Sequence, residues 1–329
     1  MINVTFDPFT LGYADFEMAC IEVFRKQYES VQIYQDYCKA LNVTPTEVKR
    51  IRQIPFLPIQ FFKSHEVKMR GAVNHFTFLS SGTGNQSRSK RFVLSHELYE
   101  KSFMEGFKRT YGSPSQFVIL ALLPNYIEQG NSSLLYMVDQ LIKETNNSES
   151  GFYLDNYDKL ATTIQSVLSS NRRLMLIGVS YALLEFAERF PMDLQHSIVM
   201  ETGGMKGRRK ELTRAELHHE LKQSFELSQI HSEYGMTELY SQAYAEKDGV
   251  FNHPKWMRVL IREPKDPFSF HGTGRAGGVN IIDLANLDAV SFIETQDLGK
   301  LNNDLSFEIL GRFDDSELRG CSLMYSGSS

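Results

Sequence analysis

The stretch Phe76-Thr77-Phe78-Leu79-Ser80-Ser81-Gly82-Thr83-Gly84-Asn85-Gln86-Ser87-Arg88-Ser89-Lys90 runs from a strand-like pattern into a Gly/Ser/Thr loop that ends in cations. Such a loop gathers backbone N–H groups, hydroxyls and positive charge around one concavity, which is what a polyphosphate requires. It lacks the G-x-x-x-x-G-K-[ST] spacing, and Gly82, Gly84 and Ser87 only approximate the dinucleotide fingerprint G-x-G-x-x-G. A solvated turn is the competing reading of the same letters. Gly272-Thr273-Gly274-Arg275-Ala276-Gly277 does match G-x-G-x-x-G, but the pattern after it, 279–284, is that of a strand where a helix should begin. That segment reads as a β-turn with a structural role.

Two kinds of nucleophile are present. Gly178-Val179-Ser180-Tyr181-Ala182 lies between an aliphatic run and a helical pattern, one letter away from the nucleophile elbow G-x-S-x-G. A serine hydrolase would need an acid and a histidine as well, and His196, His218, His219, His231, His253 and His271 all qualify by order alone. A small-residue turn at a strand end is the plainer reading. The three cysteines, Cys20, Cys38 and Cys321, show no C-x-x-C or Cys/His spacing, which argues against a disulfide framework and against structural zinc. Cys20 and Cys38 sit inside helical patterns and read as core residues.

Two downstream segments sharpen the phosphate reading. Ser232-Glu233-Tyr234-Gly235-Met236-Thr237-Glu238 is the first, and Ile293-Glu294-Thr295-Gln296-Asp297-Leu298-Gly299 the second, followed by Ile309-Leu310-Gly311-Arg312-Phe313-Asp314. Together with Ser80 to Gly84, they resemble, in order and at plausible spacing, the signatures of the adenylate-forming (AMP-binding) superfamily: the Ser/Thr/Gly loop, Y-G-x-T-E, T-G-D-L and G-R-x-D. Thr202-Gly203-Gly204-Met205-Lys206-Gly207 falls where those enzymes hold their adenine-contacting segment. The segment Asp314-Asp315-Ser316-Glu317-Leu318-Arg319-Gly320-Cys321-Ser322-Leu323 resembles the C-terminus of the acyl-protein synthetases of the fatty-acid reductase system (LuxE-type), with phenylacetate-CoA ligases as the next relatives. The resemblance covers about residues 50–325.

The resemblance implies ATP-dependent activation of a carboxylic acid, fatty or otherwise apolar, to an acyl adenylate, followed by acyl transfer to a thiol. ATP and Mg²⁺ are the implied cofactors. Charge gathers on the non-bridging oxygens when the α-phosphate is attacked, so donors and a divalent cation aimed there would do most of the catalytic work. By analogy Ser80, Ser81, Gly82, Thr83, Gly84 and Ser87 would hold the β- and γ-phosphates, with Lys90 or Arg88 supplying charge. Thr237 would contact the α-phosphate and Glu238 would bind Mg²⁺, a hard cation suited to one or two carboxylates plus substrate oxygens. Asp297 would accept both ribose hydroxyls, Gly203 and Gly204 would let the backbone approach the adenine, and Tyr234, with Gly235 after it, would stack on the other side. Arg312 and Asp314 belong to the segment that is a hinge in relatives.

Gln296 replaces the glycine of T-G-D-L, and the phosphate loop is one threonine short of its relatives. Eight residues follow Cys321 in this sequence, so the superfamily's mobile C-terminal domain is not expected within these 329 residues. In the LuxE-type enzymes a cysteine near the C-terminus takes the acyl group, and Cys321 is the one cysteine so placed. A thiol acceptor must react as thiolate, and Arg319 is near enough in sequence to favour that form. Transfer to coenzyme A, to a carrier protein or to a reductase partner stays open, as does a catalytically silent nucleotide-binding or scaffolding subunit.

Those residues need a frame to hold them. From about residue 75 short β-rich runs at 76–79, 117–123, 174–179 and 197–200 alternate with helical patterns at 95–110, 132–145, 157–169, 182–190 and 214–225, which predicts an α/β fold with a helix-covered sheet. Runs at 257–262, 279–284, 290–294 and 307–310 predict a β-rich end. The expected division is a helical segment at 1–74 packing on the main body, an α/β nucleotide-binding body at 75–252, and a β-rich subdomain with a truncated hinge at 253–329. The nucleotide would lie near Gly82, Gly203, Tyr234 and Asp297. The chain has 329 residues, 42% hydrophobic and 23% charged, and a net charge of −5, which speaks for a folded domain and against a nucleic-acid partner. No apolar run approaches the ~20 residues that cross a bilayer, and the N-terminus has no basic stretch ahead of an apolar one, so a cytoplasmic protein is expected.

Overall fold

The computed structural model describes residues 2–80, 88–123, 131–154, 156–170, 172–203 and 212–313. The chain begins with helices α1 (Phe16–Ser30) and α2 (Gln32–Ala40), the short strand β1 (Leu57–Pro58) and a single turn, α3 (Phe61–Ser64). Then come β2 (Phe76–Leu79), β3 (Lys90–Val93), α4 (His96–Tyr111), β4 (Phe117–Leu122), α5 (Ser133–Glu144), β5 (Gly151–Phe152), α6 (Tyr157–Ser169), β6 (Arg173–Val179), α7 (Ser180–Arg189), β7 (Ile198–Thr202), α8 (Arg214–Ser224), β8 (His231–Tyr234), β9 (Ala243–Ala245) and β10 (Val250–Phe251). The last described part is all strand: β11 (Met257–Glu263), β12 (Asp266–Phe270), β13 (Ala276–Asp283), β14 (Phe292–Leu301) and β15 (Phe307–Arg312).

Two compact units result. One takes in the described residues of Met1–Phe61, His65–Ala72 and Lys255–Ser329, the other those of Phe62–Ser64 and Val73–Pro254. The N-terminal helical segment therefore shares a core with the β-rich segment. Its β1 pairs in parallel with β14, Leu57 opposite Ile293, and Phe24 and Tyr34 from α1 and α2 pack on Phe292. Gln27 is buried in that core because its amide is fully used: Nε2 donates to Asn286 O and Ser291 Oγ, both at 3.0 Å, and Oε1 accepts from Ser291 N at 2.9 Å. In this unit β15, β14, β13, β11 and β12 lie side by side, each neighbouring pair antiparallel.

In the other unit the sheet runs β5-β4-β6-β7-β8-β9, parallel throughout except for β9 at the edge. Strand β4, Phe-Val-Ile-Leu-Ala-Leu, is buried at every position, as a parallel strand covered on both faces must be. The helices start where side chains cap them: Ser95 accepts from Leu98 N in α4, Asn156 from Lys159 N in α6, and Thr213 forms a reciprocal capping box with Glu216 in α8. Strands β2 and β3 stand apart as a two-stranded antiparallel pair. The expected α/β architecture is thus present, and β2 and α6 have the bounds read from the sequence.

Candidate functional site

The loop read as a phosphate cradle joins β2 to β3, so it returns into a strand and opens no helix. Its base is stitched: Ser80 N donates to Ser89 O at 3.0 Å, and Ser89 N to Ser80 Oγ at 2.9 Å. Lys90 lies opposite Leu79 and is exposed. The neighbouring Arg91, which the sequence did not single out, is buried, with its guanidinium 4.4 Å over the ring of Tyr240, two residues after Glu238. Ser81, Gly82, Thr83, Gly84 and Ser87 lie outside the described residues, as do Gly204 to Gly207, Asp314, Arg319 and Cys321.

The remaining candidates of this unit gather at the C-terminal ends of β7 and β8, where ligands of parallel α/β sheets usually bind. Thr202 pairs with Glu233, so Gly203 follows β7 where Tyr234 closes β8 and Gly235 follows it. Gly203 has φ +70°, a left-handed backbone that suits glycine. The Glu233 carboxylate lies over Gly235: a Cβ there would stand 2.4 Å from Glu233 Oε1 and would have to displace that side chain. Tyr234 is buried, with Phe251 5.8 Å from its ring. Thr237 and Glu238 form the turn after β8, Glu238 only 4% exposed.

Ser180 has a different part from the one an elbow would give it. It is 3% exposed, and its hydroxyl donates to Gly203 O at 2.9 Å, tying the first turn of α7 to the end of β7. His218 and His231 hydrogen-bond elsewhere, to Ser232 and Tyr111. An exposed, histidine-activated serine is not what this position provides, and the hydrolase reading falls with it.

Two glutamates that the motifs did not mark flank the strand ends. Glu201, 3% exposed, lies 3.1 Å from Arg214 Nε and 3.6 Å from His218 Nε2. Burial pushes its pKa up, but hydrogen bonding from His218 and the charge of Arg214 outweigh that and hold it below the usual carboxylate value. Glu233 accepts from Thr202 Oγ1 and faces apolar side chains, so burial carries its pKa up to about 7, with Glu201 adding repulsion.

In the β-rich unit, Asp297 on β14 and Arg312 on β15 are direct cross-strand partners, with Arg312 Nε 3.4 Å from Asp297 Oδ1. Asp297 is 8% exposed, and its backbone N–H donates to Thr295 Oγ1. Arg262 is buried close by, donating to Val279 O, Asn280 Oδ1 and Thr295 O. Its burial lowers its pKa, opposed by Glu294 and then Asp297. A Cβ on Gly278 would stand 2.3 Å from Arg262 Cζ, so the glycine is what admits the guanidinium. An arginine inside a strand pattern carries no local sign of this.

Among the described residues no cluster of three or more His, Cys, Asp or Glu is placed to hold a metal. A Mg²⁺ ion that took most of its oxygens from phosphates would need only a carboxylate such as Glu238. No described helix is long and apolar enough to cross a membrane.

Comparison with known proteins gives these features a context. The family described as Acyl-protein synthetase, LuxE, matches residues 5–328. No sequence among curated proteins matches. Among solved structures, ATP-bound MatB from Rhodopseudomonas palustris is similar at TM-score 0.54 and 16% identity, over 74% of this chain and 49% of that one. A 2-hydroxyisobutyryl-CoA ligase in complex with 2-HIB-AMP and CoA is similar at TM-score 0.65 and 11% identity, over 96% of this chain and 73% of that one. At these identities the likeness is one of fold, that of the N-terminal part of adenylate-forming ligases, and the chain spans about half the length of MatB.

Proposed function

The chain belongs to the LuxE acyl-protein synthetase family, and from that premise we propose that it activates a carboxylic acid with ATP and passes the acyl group to a thiol. A carboxylate oxygen attacks the α-phosphorus, the bond from phosphorus to the pyrophosphate oxygen breaks, and an acyl adenylate forms. A thiolate then attacks the acyl carbon, and AMP leaves with the oxygen that came from the acid. The observation that carries the reading is the pairing of β7 with β8, which sets Thr202-Gly203 beside Glu233-Tyr234-Gly235 at the C-terminal ends of two adjacent strands, with Thr237 and Glu238 in the next turn.

In this proposal Gly203 and Gly204 offer backbone to the adenine, Tyr234 its ring, and Thr237 a hydroxyl to the α-phosphate. Glu238 holds Mg²⁺, which when bound neutralises charge developing on the phosphates. Ser80, Ser81, Gly82, Thr83, Gly84 and Ser87 donate to the outer phosphates, with Lys90 adding charge. Asp297 accepts from the ribose hydroxyls and is oriented by Arg312. A fatty or other apolar acid is the substrate class, in a cytoplasmic setting. Cys321, coenzyme A, a carrier protein or a reductase partner would take the acyl group. Ser180 keeps Gly203 in place.

Exchange of labelled pyrophosphate into ATP tests the adenylation half-reaction. We expect exchange that requires both Mg²⁺ and an acid, and a Glu238→Gln variant that retains its melting temperature but loses about 100-fold in rate. Exchange absent across a broad acid panel would overturn the proposal and leave a catalytically silent nucleotide-binding or scaffolding subunit.

A further inference from the structure

Thr202, Glu233 and Tyr244 make a lateral row across three adjacent strands, because Thr202 pairs with Glu233 and Glu233 with Tyr244. Side chains opposite one another across a sheet share a face. All three line one small chamber of the α/β unit, whose other walls include Phe107, Met137 and Ile177. Within the row Thr202 Oγ1 donates to Glu233 Oε2. Tyr244 is only 3% exposed, and its hydroxyl has no hydrogen-bond partner among the described residues. A buried hydroxyl left unpaired destabilises the fold, and phenylalanine would fill the same space without that cost. The chamber has about 10 Å³ of free space, room for one water-sized group.

The place of the row gives the unpaired hydroxyl a use. Thr202 immediately precedes Gly203, and Glu233 immediately precedes Tyr234 and Gly235. The chamber thus begins one residue inward from the strand ends assigned above to the nucleotide. An acid whose carboxylate meets the α-phosphate there would extend its carbon skeleton toward the row.

We propose that the chamber receives a single hydroxyl group carried by the acid substrate, and that Thr202, Glu233 and Tyr244 thereby select acids bearing such a hydroxyl over hydrocarbon acids of the same length. The inference rests on the acid-activating reading of this site. A substrate hydroxyl would donate to Glu233 and accept from Tyr244, satisfying both at once. A methylene in its place would leave the Tyr244 hydroxyl unpaired and Glu233 with Thr202 as its one hydrogen-bond partner in the chamber, a mismatch that discriminates against the hydrocarbon acid. A hydroxyl suits the site better than an ammonium group. The walls are apolar, and burial already makes Glu233 hold its proton up to about 7, whereas a neutral hydroxyl can be served by either form of the carboxyl group. Unbranched Met137 gives the apolar wall some freedom to adapt.

The test is acid-dependent ATP–pyrophosphate exchange by the full chain with Mg²⁺, using straight-chain acids, their monohydroxylated counterparts with the hydroxyl moved carbon by carbon, and the matching amino acids. We expect one hydroxyl position to raise kcat/KM at least about tenfold over the unsubstituted acid, and Tyr244→Phe to lower that ratio by a similar factor. Thr202→Val is the second variant, expected to reduce the same ratio through the loosened Glu233, with thermal melting confirming that each variant is folded. Three results would overturn the inference while leaving adenylation standing: hydrocarbon acids used as well as every hydroxylated one, amino acids preferred, or a ratio unchanged in Tyr244→Phe. The chamber would then hold a resident water only. Exchange with no acid at all would overturn the adenylation reading and this inference with it.

Discussion

Glu201 and Glu233 belong to neighbouring strands and are offset by one step of the pleat, so they serve opposite faces of the same sheet. On one face Glu201 meets Arg214 and His218, and its pKa is lowered. On the other Glu233 meets a threonine hydroxyl, a tyrosine and apolar walls, and its pKa is raised to about 7. The residue type is the same; what differs is the set of partners the pleat supplies. The paired carboxylate fastens α8 to the sheet, while the other is left in a chamber whose polar groups are only partly satisfied. That contrast separates a structural charge from one available to a ligand.

The two faces should answer differently to mutation and to pH. Replacing Glu201 with Gln leaves the half-buried Arg214 without its counter-charge, and we expect a loss of about 2–3 kcal/mol in denaturant unfolding at neutral pH. Because its folded pKa lies below the ordinary carboxylate value of 4.5, the stability it contributes is present above that value and lost as pH falls through the folded pKa. The penalty of Glu201→Gln should therefore shrink on acidification. A full penalty persisting below its folded pKa would break the comparison.

Glu233 carries the opposite sign. Its folded pKa is raised, so its contribution is present below 4.5 and lost as pH rises through about 7. Glu233→Gln keeps an oxygen for Thr202 and cannot ionise; we expect it to match the parent chain at pH 4 and exceed its stability by on the order of 1 kcal/mol at pH 8. The groups coupled to Glu233 are Glu201 and the tyrosines at 99, 111 and 244, all uncharged there except Glu201. His231, pushed down to about 4 by burial, destabilises only on the acid side. The smallest effect is expected from Thr202→Val: losing the donor to Glu233 should raise the carboxyl pKa slightly further, read by NMR titration. A downward shift would show that the threonine is not what restrains it.

How far the letters reach is seen in the same strands. Strand β8, His-Ser-Glu-Tyr, has no hydrophobic run, so nothing in its own composition marks it as buried; β7 and β9 on either side supply that environment. The apolar run of β14 stops at Glu294 but the strand continues to Leu301, because Asp297 to Leu301 pair with β15 and Leu298 to Lys300 with β13. The helices were easier to read, since caps such as Thr213 with Glu216 act within one turn. The motif letters pointed to Asp297 and Arg312 separately, and only the register of β14 with β15 makes them partners. Arg262, Glu201 and Tyr244 were invisible for the same reason: what makes each unusual lies more than ten residues away in sequence.

The central claim, that a carboxylate attacks the α-phosphate, is tested most directly with an acid labelled with ¹⁸O in its carboxyl group. The full chain is incubated with ATP, Mg²⁺, the labelled acid and hydroxylamine as the trapping nucleophile, and the phosphorus products are analysed by mass spectrometry. The account predicts one ¹⁸O in AMP, none in pyrophosphate, and an acyl hydroxamate formed in equal amount. Label appearing in inorganic phosphate with ADP as co-product would place the attack on the γ-phosphate and contradict it.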